Sequence, residues 1–228
     1  MAGEQDPTTR QELIGRGRTA DVYALDGQWV LRRYRDGLDA RGEGEVMEYV
    51  RAHGFPAPRV RADAGLAPGE LVLERFEGPT QLDAMVRGEL GPAEAGRELA
   101  ALLRQLHTVP ARPGGRILHL DLHPDNVLRT RRGPVVIDWA NAEVGAAGLD
   151  WAMSAMILAE VAVDPGRVEA GAAREALGVL LAAPHPRLGE DFLGEVHARR
   201  AGNPTLDARE KRRLGAAVEL VRALEGGP

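Results

Sequence analysis

The sequence contains no cysteine. This absence excludes disulfide bridges, thiolate metal sites and a cysteine nucleophile, and it leaves the redox compartment open. Aromatic residues make up only 4% of the chain, which argues against an aromatic cage for a quaternary ammonium ligand. Lys211 is the only lysine, and arginine carries nearly all of the positive charge.

Long apolar runs and a surplus of basic residues are also missing. The longest apolar stretch, residues 152–163, is interrupted by Ser154 and Glu160 and is too short to span a bilayer. The first twelve residues lack a basic segment followed by an apolar run, so no signal peptide is expected. The net charge of -5 gives no general reason to expect a nucleic-acid partner. These features predict a cytoplasmic protein without a membrane partner.

The first third of the chain has the pattern of a small β-sheet with one helix. Alternating residues around Asp26 and Gly27 predict a hairpin with a tight primed turn. A helix is expected to end at Gly54, because Pro56 and Pro58 follow it. The predicted elements are strands within residues 12–34, a helix at 40–53, and strands at 59–64 and 70–76.

The rest of the chain is predicted to be mostly helical. Pro92 lies near the start of a segment whose leucines form a stripe at helical spacing, and Ala-, Leu- and Glu-rich segments follow from Leu149 onward. Prolines divide these later segments into three or four helices. We therefore expect an α+β fold with two lobes, residues 1–77 and residues 78–228, the first built on an antiparallel sheet.

The central stretch ILHLDLHPDNVL places polar side chains between two apolar runs. Asp121 and Asn126 lie in a turn that contains a proline, and Asp138 ends the next apolar strand. Two carboxylates and an amide on adjacent loops form an oxygen-rich site of the kind that Mg²⁺ prefers. Asp121 and Asp138 could instead cap turns, and Asn126 could lie in a left-handed turn. A second alternative makes His119 and His123 ligands of a transition metal.

The order of these residues resembles the catalytic and metal-binding loops of the protein-kinase fold. The pattern is H-x-D-L-x-P-x-N, followed twelve residues later by an Asp at a strand end. In that resemblance Asp121 is the catalytic base, Asn126 is a metal ligand, and Asp138 is the main metal ligand.

The resemblance implies a nucleotide site in the first lobe. The sequence GRGRTADV offers Gly15 and Gly17, whose backbone amides could approach phosphates closely. Arg32 in WVLRRY occupies the position where kinases have a lysine for the α- and β-phosphates, and strand alternation sends Arg33 to the opposite face. On the following helix, Glu43 shares the apolar stripe and is expected to pair with Arg32. A surface position for this glutamate is the alternative.

HLDLHPDNVL, VVIDWANAEVGAAGLDWA and GFPAPRV together resemble the aminoglycoside phosphotransferase family, over about residues 12–155. Members phosphorylate hydroxyl groups of aminoglycosides, choline, homoserine, sugars and related small molecules. The resemblance places Glu74 and Phe76 at a hinge that binds adenine through its backbone. It also makes Asp150 a support for the catalytic loop, while the role of His123 stays open.

The resemblance implies an ATP- and Mg²⁺-dependent kinase that acts on a small-molecule hydroxyl, such as that of an aminoglycoside-like antibiotic, an amino alcohol or a sugar. Only eleven residues separate Asp138 from Asp150, which leaves no platform for a polypeptide substrate. Two alternatives stay open. One is a nucleotide-binding pseudokinase or scaffold, which Arg32 would suit, and the other is a compact kinase for a macromolecule. The sequence does not predict an oligomeric state.

Overall fold

The computed structural model describes residues 12–35, 37, 39–62, 66–111 and 114–226. Its first part is a five-stranded antiparallel sheet in the order β1-β2-β3-β5-β4, with helix α1 between β3 and β4. The bounds are Glu12–Arg16 for β1, Ala20–Ala24 for β2, Trp29–Tyr34 for β3, Arg41–Ala52 for α1, Val60–Arg61 for β4 and Glu70–Glu74 for β5. The strands were predicted in the right places, although residues 63 and 64 of the fourth lie outside the described part.

The hairpin between β2 and β3 lies where the sequence predicts it, but its turn is of a different kind. A primed two-residue turn needs a positive φ at Gly27, and Gly27 does not have one. Instead, the Asp26 side chain accepts hydrogen bonds from the amides of Gln28 and Trp29, at 2.7 and 2.9 Å. A side-chain turn of this type fixes the backbone without a left-handed residue.

Helix α1 lays its apolar stripe against the sheet. Met47 and Val50 are buried on this face, and Glu43 is buried with them at 7% exposure. The neighbouring Glu45 and Glu48 are exposed, as the helical periodicity predicts. A buried carboxylate needs partners, so Glu43 marks the point where the helix meets charged groups of the cleft.

The second part is mainly helical, with short strands near its junction with the sheet. Helix α4 is its centre, since most of its residues are buried and it packs against the three helices that follow. The bounds are Gln81–Val86 for α2, Pro92–Leu106 for α3, Arg116–Leu118 for β6, Val127–Thr130 for β7, Gly133–Val136 for β8, Glu143–Gly145 for β9, Ala147–Ala162 for α4, Ala170–Ala182 for α5, Glu190–Gly202 for α6 and Ala208–Glu225 for α7.

One apolar core runs through both parts. It joins Met47 and Phe55 beside the sheet to Leu103, Trp139 and Met156 among the helices. The predicted α+β architecture, an antiparallel sheet with one helix followed by a mostly helical part, is confirmed. The division into two domains at residue 77 stays a prediction. No helix of the described residues has the length and apolar character needed to cross a bilayer.

Two helical glycines give a matched test of this packing. A Cβ on Gly96 of α3 would lie 2.5 Å from the backbone oxygen of Ala176 on α5, whereas a Cβ on Gly178 meets no described atom within 4 Å. We expect Gly96→Ala to lower the free energy of unfolding by about 1–3 kcal/mol through overpacking. Gly178→Ala should raise it by roughly 0.5–1 kcal/mol through helix propensity. Urea denaturation measures both, and a stabilised Gly96→Ala variant would contradict the close approach of α3 and α5.

Candidate active site

The loop after β6 is fixed by a buried histidine. The Nδ1 atom of His119 accepts a hydrogen bond from the amide of Asp121 at 3.2 Å, and Nε2 donates to the carbonyl of Ile137 at 3.1 Å. Burial lowers the pKa of His119, so the ring stays neutral in this tautomer. Both ring nitrogens are engaged within the protein. His119 is therefore not placed to bind a metal, against the alternative that joined it with His123.

The backbone beside His119 is strained and held by Asp150. Leu120 has a φ of 58°, which is unfavourable for a residue with a branched side chain. The fully buried Asp150 accepts hydrogen bonds from the amides of Leu120 and His119, at 2.8 and 3.1 Å. His107 at the end of α3 contacts the same carboxylate at 2.9 Å. The predicted support of this loop by Asp150 is therefore present in the structure.

Asp121 and Asn126 contact each other across the turn. The Nδ2 atom of Asn126 donates to the backbone oxygen of Asp121 at 2.9 Å and to its carboxylate at 3.2 Å. Burial and the charge of Asp138 raise the pKa of Asp121 to about 7, although Arg200 and Arg18 oppose this rise. A carboxyl group whose pKa lies near neutrality can accept a proton from a substrate.

Asp138 follows β8 and is the second non-glycine residue with a positive φ, at 66°, among those described. Its side chain is partly exposed, and it contacts the Nη2 atom of Arg32 at 2.5 Å. Backbone strain of this kind is characteristic of functional sites, where the surrounding structure enforces it.

The predicted pair of Arg32 and Glu43 is present, with Nη1 and Oε1 at 3.0 Å. Burial alone would lower the pKa of Arg32, but the charges of Asp138 and Glu43 outweigh it and raise the pKa. The same Glu43 carboxylate also accepts the amide of Trp139 at 3.1 Å and the hydroxyl of Tyr34 at 2.6 Å. Helix α1, strand β3 and the segment after β8 therefore meet at one carboxylate.

Arg33 lies on the opposite face of the sheet, as strand alternation predicts. It pairs with Glu70 on the neighbouring strand at 2.7 Å and is exposed. Arg32 is 8% exposed, so only this arginine of the pair points into the cleft. The predicted register of β3 is correct.

The glycine-rich hairpin between β1 and β2 closes on itself. The amide of Gly17 donates to the carbonyl of Ala20 at 2.9 Å, while Gly15 is paired with Val22 in the sheet. Arg35 also holds this turn, since its guanidinium donates to the backbone oxygens of Gly17 and Arg18. Phosphate binding by Gly15 and Gly17 stays a prediction, and the amide of Gly17 would have to leave its present partner.

The residues predicted at the hinge lie at the end of β5. Glu74 pairs with Arg132 at 2.8 Å and with Arg59 at 3.2 Å. Burial alone would raise the pKa of its carboxyl, but the bonds to these two arginines outweigh burial and lower the pKa. The amide of Glu74 donates to the carbonyl of Arg59 at 2.9 Å. Phe76 follows two residues later, with the guanidinium of Arg132 5.5 Å from its ring centre. Adenine binding by Glu74 and Phe76 stays a prediction, and neither the side chain nor the amide of Glu74 is available for it.

His123 lies within this site. Its Nε2 atom is 3.2 Å from Nδ2 of Asn126 and 3.7 Å from Oδ1 of Asp121, and its Nδ1 accepts the amide of Asp125 at 3.3 Å. Burial lowers the pKa of His123 to about 4, so the ring is neutral at neutral pH. An accepting Nδ1 leaves the ring proton on Nε2, the nitrogen beside Asn126 and Asp121.

Sequence reasoning missed two side chains at this site. Tyr34 contacts Glu43, and Arg200 on α6 acts on the charge of Asp121 while it pairs with Glu160 at 2.7 Å. The signal for Tyr34 was its position two residues after Arg32, on the same face of β3. Arg200 has no such signal, because the packing of α6 decides where it lies.

Solved structures with the protein-kinase-like fold are similar to this chain over nearly its whole length. A thermostable mutant of aminoglycoside phosphotransferase APH(4)-Ia, in a ternary complex with ADP and hygromycin B, has a TM-score of 0.64 at 13% identity, covering 96% of this chain and 95% of that one. A choline/ethanolamine kinase family protein from Mesorhizobium loti has a TM-score of 0.56 at 18% identity, covering 96% and 94%. The gentamicin complex of APH(2")-IIa has a TM-score of 0.56 at 12% identity, covering 95% and 93%.

These similarities confirm the predicted fold class, a kinase-like fold. The family model described as the phosphotransferase enzyme family matches residues 10–116 and 111–187, which together exceed half of the chain. The chain therefore belongs to the phosphotransferase enzyme family, as its motifs predict. No curated protein matches the sequence.

Asp150 and Asp125 offer a matched test of how the loop is held. Asp150→Ala leaves the buried amides of His119 and Leu120 without an acceptor, at about 1–3 kcal/mol each. We expect the free energy of unfolding to fall by at least about 2 kcal/mol. Asp125 is exposed on the same loop, so Asp125→Ala should stay within about 0.5 kcal/mol of wild type. Equal effects of the two changes in urea denaturation would show that Asp150 does not support the loop.

Proposed function

We propose that this protein transfers the terminal phosphoryl group of ATP to a hydroxyl group of a small molecule, with Mg²⁺ as the metal. The observation that carries this proposal is the meeting of two aspartates at one cleft. Asp121 accepts a hydrogen bond from Asn126, and the charge of Asp138 raises the pKa of its carboxyl group. Asp138 in turn contacts Arg32. A base, a metal ligand and a phosphate-binding cation are the parts that phosphoryl transfer needs.

Arg32 is proposed to hold the phosphates of ATP. It is the buried cation of the cleft, and its guanidinium presents several donors in a fixed planar geometry. The backbone of Gly15 and Gly17 in the hairpin is proposed to bind the phosphates. The backbone carbonyl of Glu74, whose amide is already engaged, and the backbone of Phe76 are proposed to bind the adenine. Positioning of the phosphates and compensation of their charge supply most of the rate acceleration in this class of reaction.

Asp121 is proposed to accept the proton of the substrate hydroxyl. Its partly buried position and the nearby negative charge make it a better base than an exposed aspartate. The amide of Asn126 orients it through one hydrogen bond to the carboxylate and one to the backbone. His123 lies at the edge of the same group, and no role is assigned to it.

The donors near Asp121 fit a magnesium ion. Asp138 offers a partly exposed carboxylate and Asn126 an amide oxygen, which are ligands that Mg²⁺ prefers, with water and phosphate oxygens completing its shell. Among the described residues there is no group of three or more histidine, aspartate or glutamate side chains that could hold a metal. A site of two protein ligands suits Mg²⁺ better than a transition metal. When bound, Mg²⁺ would compensate the phosphate charge.

The acceptor is proposed to be a small hydroxyl compound of the cytoplasm, where ATP is available: an aminoglycoside-like antibiotic, an amino alcohol or a sugar. Similar structures were solved with hygromycin B and with gentamicin, and one belongs to the choline/ethanolamine kinase family. These similarities support a small hydroxyl compound and leave its identity to experiment.

A nucleotide-binding scaffold without transfer activity is the second candidate. The contact between Arg32 and Asp138 favours it, because the cation occupies the carboxylate that the metal would need. In an enzyme Mg²⁺ would have to displace this contact or bind the second oxygen of the carboxylate, whereas a scaffold could keep the contact unchanged. Nucleotide binding and transfer therefore have to be measured separately.

The first experiment measures thermal unfolding with and without Mg·ATP, followed by a nucleotide-consumption screen with Mg²⁺ against aminoglycosides, macrolides, amino alcohols and sugars. A ligand present at about 100 times its dissociation constant adds about 2.7 kcal/mol to the free energy of unfolding. We expect stabilisation by Mg·ATP and consumption of ATP with at least one acceptor. Stabilisation without any transfer would favour the scaffold, and no stabilisation by any nucleoside triphosphate would end the kinase proposal.

Asp121 and Asp138 should fail in different ways when changed to asparagine. Asp138→Asn removes charge from the metal site, so both Mg²⁺-dependent nucleotide binding and transfer should weaken. Asp121→Asn should leave the affinity for Mg·ATP within a few-fold of wild type, while the transfer rate falls by roughly 10²–10⁴, the contribution of a positioned general base.

Calorimetric nucleotide binding and single-turnover transfer separate these two effects. Full activity of Asp121→Asn would end its assignment as the base. An equal loss of nucleotide binding in both variants would instead make Asp121 a metal ligand or a support of the fold.

A further inference from the structure

An arginine at the phosphate-binding position raises a problem of orientation. Its guanidinium is larger than an ammonium group and offers five donors, so small rotations change which donor meets a ligand. In Arg32, Nη1 contacts Glu43 and Nη2 contacts Asp138, while Nε is buried without a hydrogen-bond partner among the described residues. Both ion pairs involve the Nη atoms at the end of the guanidinium. The rotation of the guanidinium plane is therefore left to be fixed by other contacts.

The ring of Tyr34 lies where it can fix this plane. Tyr34 follows Arg32 by two positions on β3, so both side chains project from the same face of the sheet. The Cζ atom of Arg32 is 5.0 Å from the centre of the Tyr34 ring, within the distance for a cation–π contact. Tyr34 is 7% exposed, and a contact of this kind is stronger when it is desolvated.

The hydroxyl of Tyr34 acts on the same arginine through Glu43. It donates a hydrogen bond of 2.6 Å to Oε2 of Glu43, while Oε1 accepts Arg32 and the amide of Trp139. Burial and the neighbouring Glu43 raise the pKa of the Tyr34 hydroxyl, so it stays a donor. Tyr34 therefore contacts Arg32 directly with its ring and indirectly with its hydroxyl.

The outer face of the sheet carries a similar pair without the cleft. Arg33 lies with its Cζ atom 5.2 Å from the ring centre of Tyr23, and it pairs with Glu70 at 2.7 Å. Arg33 is exposed and Tyr23 is partly buried. Arg33, Tyr23 and Glu70 therefore repeat the combination of an arginine, an aromatic ring and a carboxylate, and they serve as a control for the group around Arg32.

We propose that Tyr34 is a positioning residue that orients Arg32 toward the phosphates of ATP and thereby allows an arginine to serve at this site. The proposal rests on the proposed function, because Arg32 has to bind phosphates for its orientation to matter. Tyr34 itself needs no contact with the nucleotide. Its effect should therefore appear only with ligands that carry phosphates.

The experiment compares Tyr34→Leu and Tyr34→Phe with Tyr23→Leu and Tyr23→Phe. Calorimetry measures the affinity of each variant for Mg·ATP, and NMR titration measures its affinity for adenosine, which has no phosphates. We expect Tyr34→Leu to weaken Mg·ATP binding by about 3- to 10-fold, the range of a partly buried cation–π contact, and to leave adenosine binding within about twofold. Tyr34→Phe keeps the ring and should have a smaller effect of the same kind.

A double-mutant cycle with Arg32→Gln tests whether the effect passes through the arginine. In that background, Tyr34→Leu should change Mg·ATP affinity by less than about twofold, because the group that it orients is gone. Thermal unfolding of each variant checks that it is folded. If Arg32→Gln does not fold, the comparison of Mg·ATP with adenosine in the single variants decides alone.

Three results would overturn the proposal: an equal loss of Mg·ATP and adenosine binding in Tyr34→Leu, an equal effect of Tyr23→Leu, or an undiminished effect in the Arg32→Gln background. If the wild-type protein binds Mg·ATP and the variants give one of these results, the role of Tyr34 is refuted and the proposed function stands. Folded wild-type protein that binds no Mg·ATP would refute both.

Discussion

The guanidinium of Arg32 is buried and contacts two carboxylates from distant parts of the chain, Glu43 on α1 and Asp138 after β8. An unpaired buried charge would be costly, so Arg32 and Glu43 each require a partner, whereas Asp138 is partly exposed. Removal of one partner leaves uncompensated charge and is strongly destabilising, whereas the intact group adds little net stability. Its importance is geometric, because it joins the sheet, helix α1 and the segment after β8 at one cleft. Through Glu43 the group also links α1 to the amide of Trp139.

A second buried carboxylate sets the geometry on the other side of the cleft. Asp150, at the start of α4, holds the strained backbone at Leu120 and lies at the centre of the helical core. The strained Asp138 is tied to the first part of the chain through Arg32, and the amide after it is tied to Glu43. The two strained positions, Leu120 and Asp138, are therefore held by carboxylates on two different helices, Asp150 on α4 and Glu43 on α1. Asp121 lies between these supports.

Periodic patterns predicted much of this structure, and local contacts explain what they missed. Helical spacing identified Glu43 as buried, and strand alternation separated Arg32 from Arg33, because both patterns follow from backbone geometry. The type predicted for the turn after β2 was wrong, because the Asp26 side chain bonds to the backbone and removes the need for a left-handed glycine. Strand alternation places Tyr34 on the same face as Arg32, but its contact with Glu43 could not be predicted, since it forms only when α1 packs on the sheet.

The most direct test of the account is a crystal structure with Mg²⁺ and a non-hydrolysable ATP analogue. We expect the analogue to lie in the cleft beside Glu74 and Phe76, and Mg²⁺ to contact Asp138 and Asn126. Arg32 should bond to a phosphate oxygen while it keeps its contact with Glu43. A structure in which the analogue binds with the ion pair of Arg32 and Asp138 intact, and with no metal at Asp138 or Asn126, would contradict the central claim that this buried arginine and these two loops form a phosphoryl-transfer site.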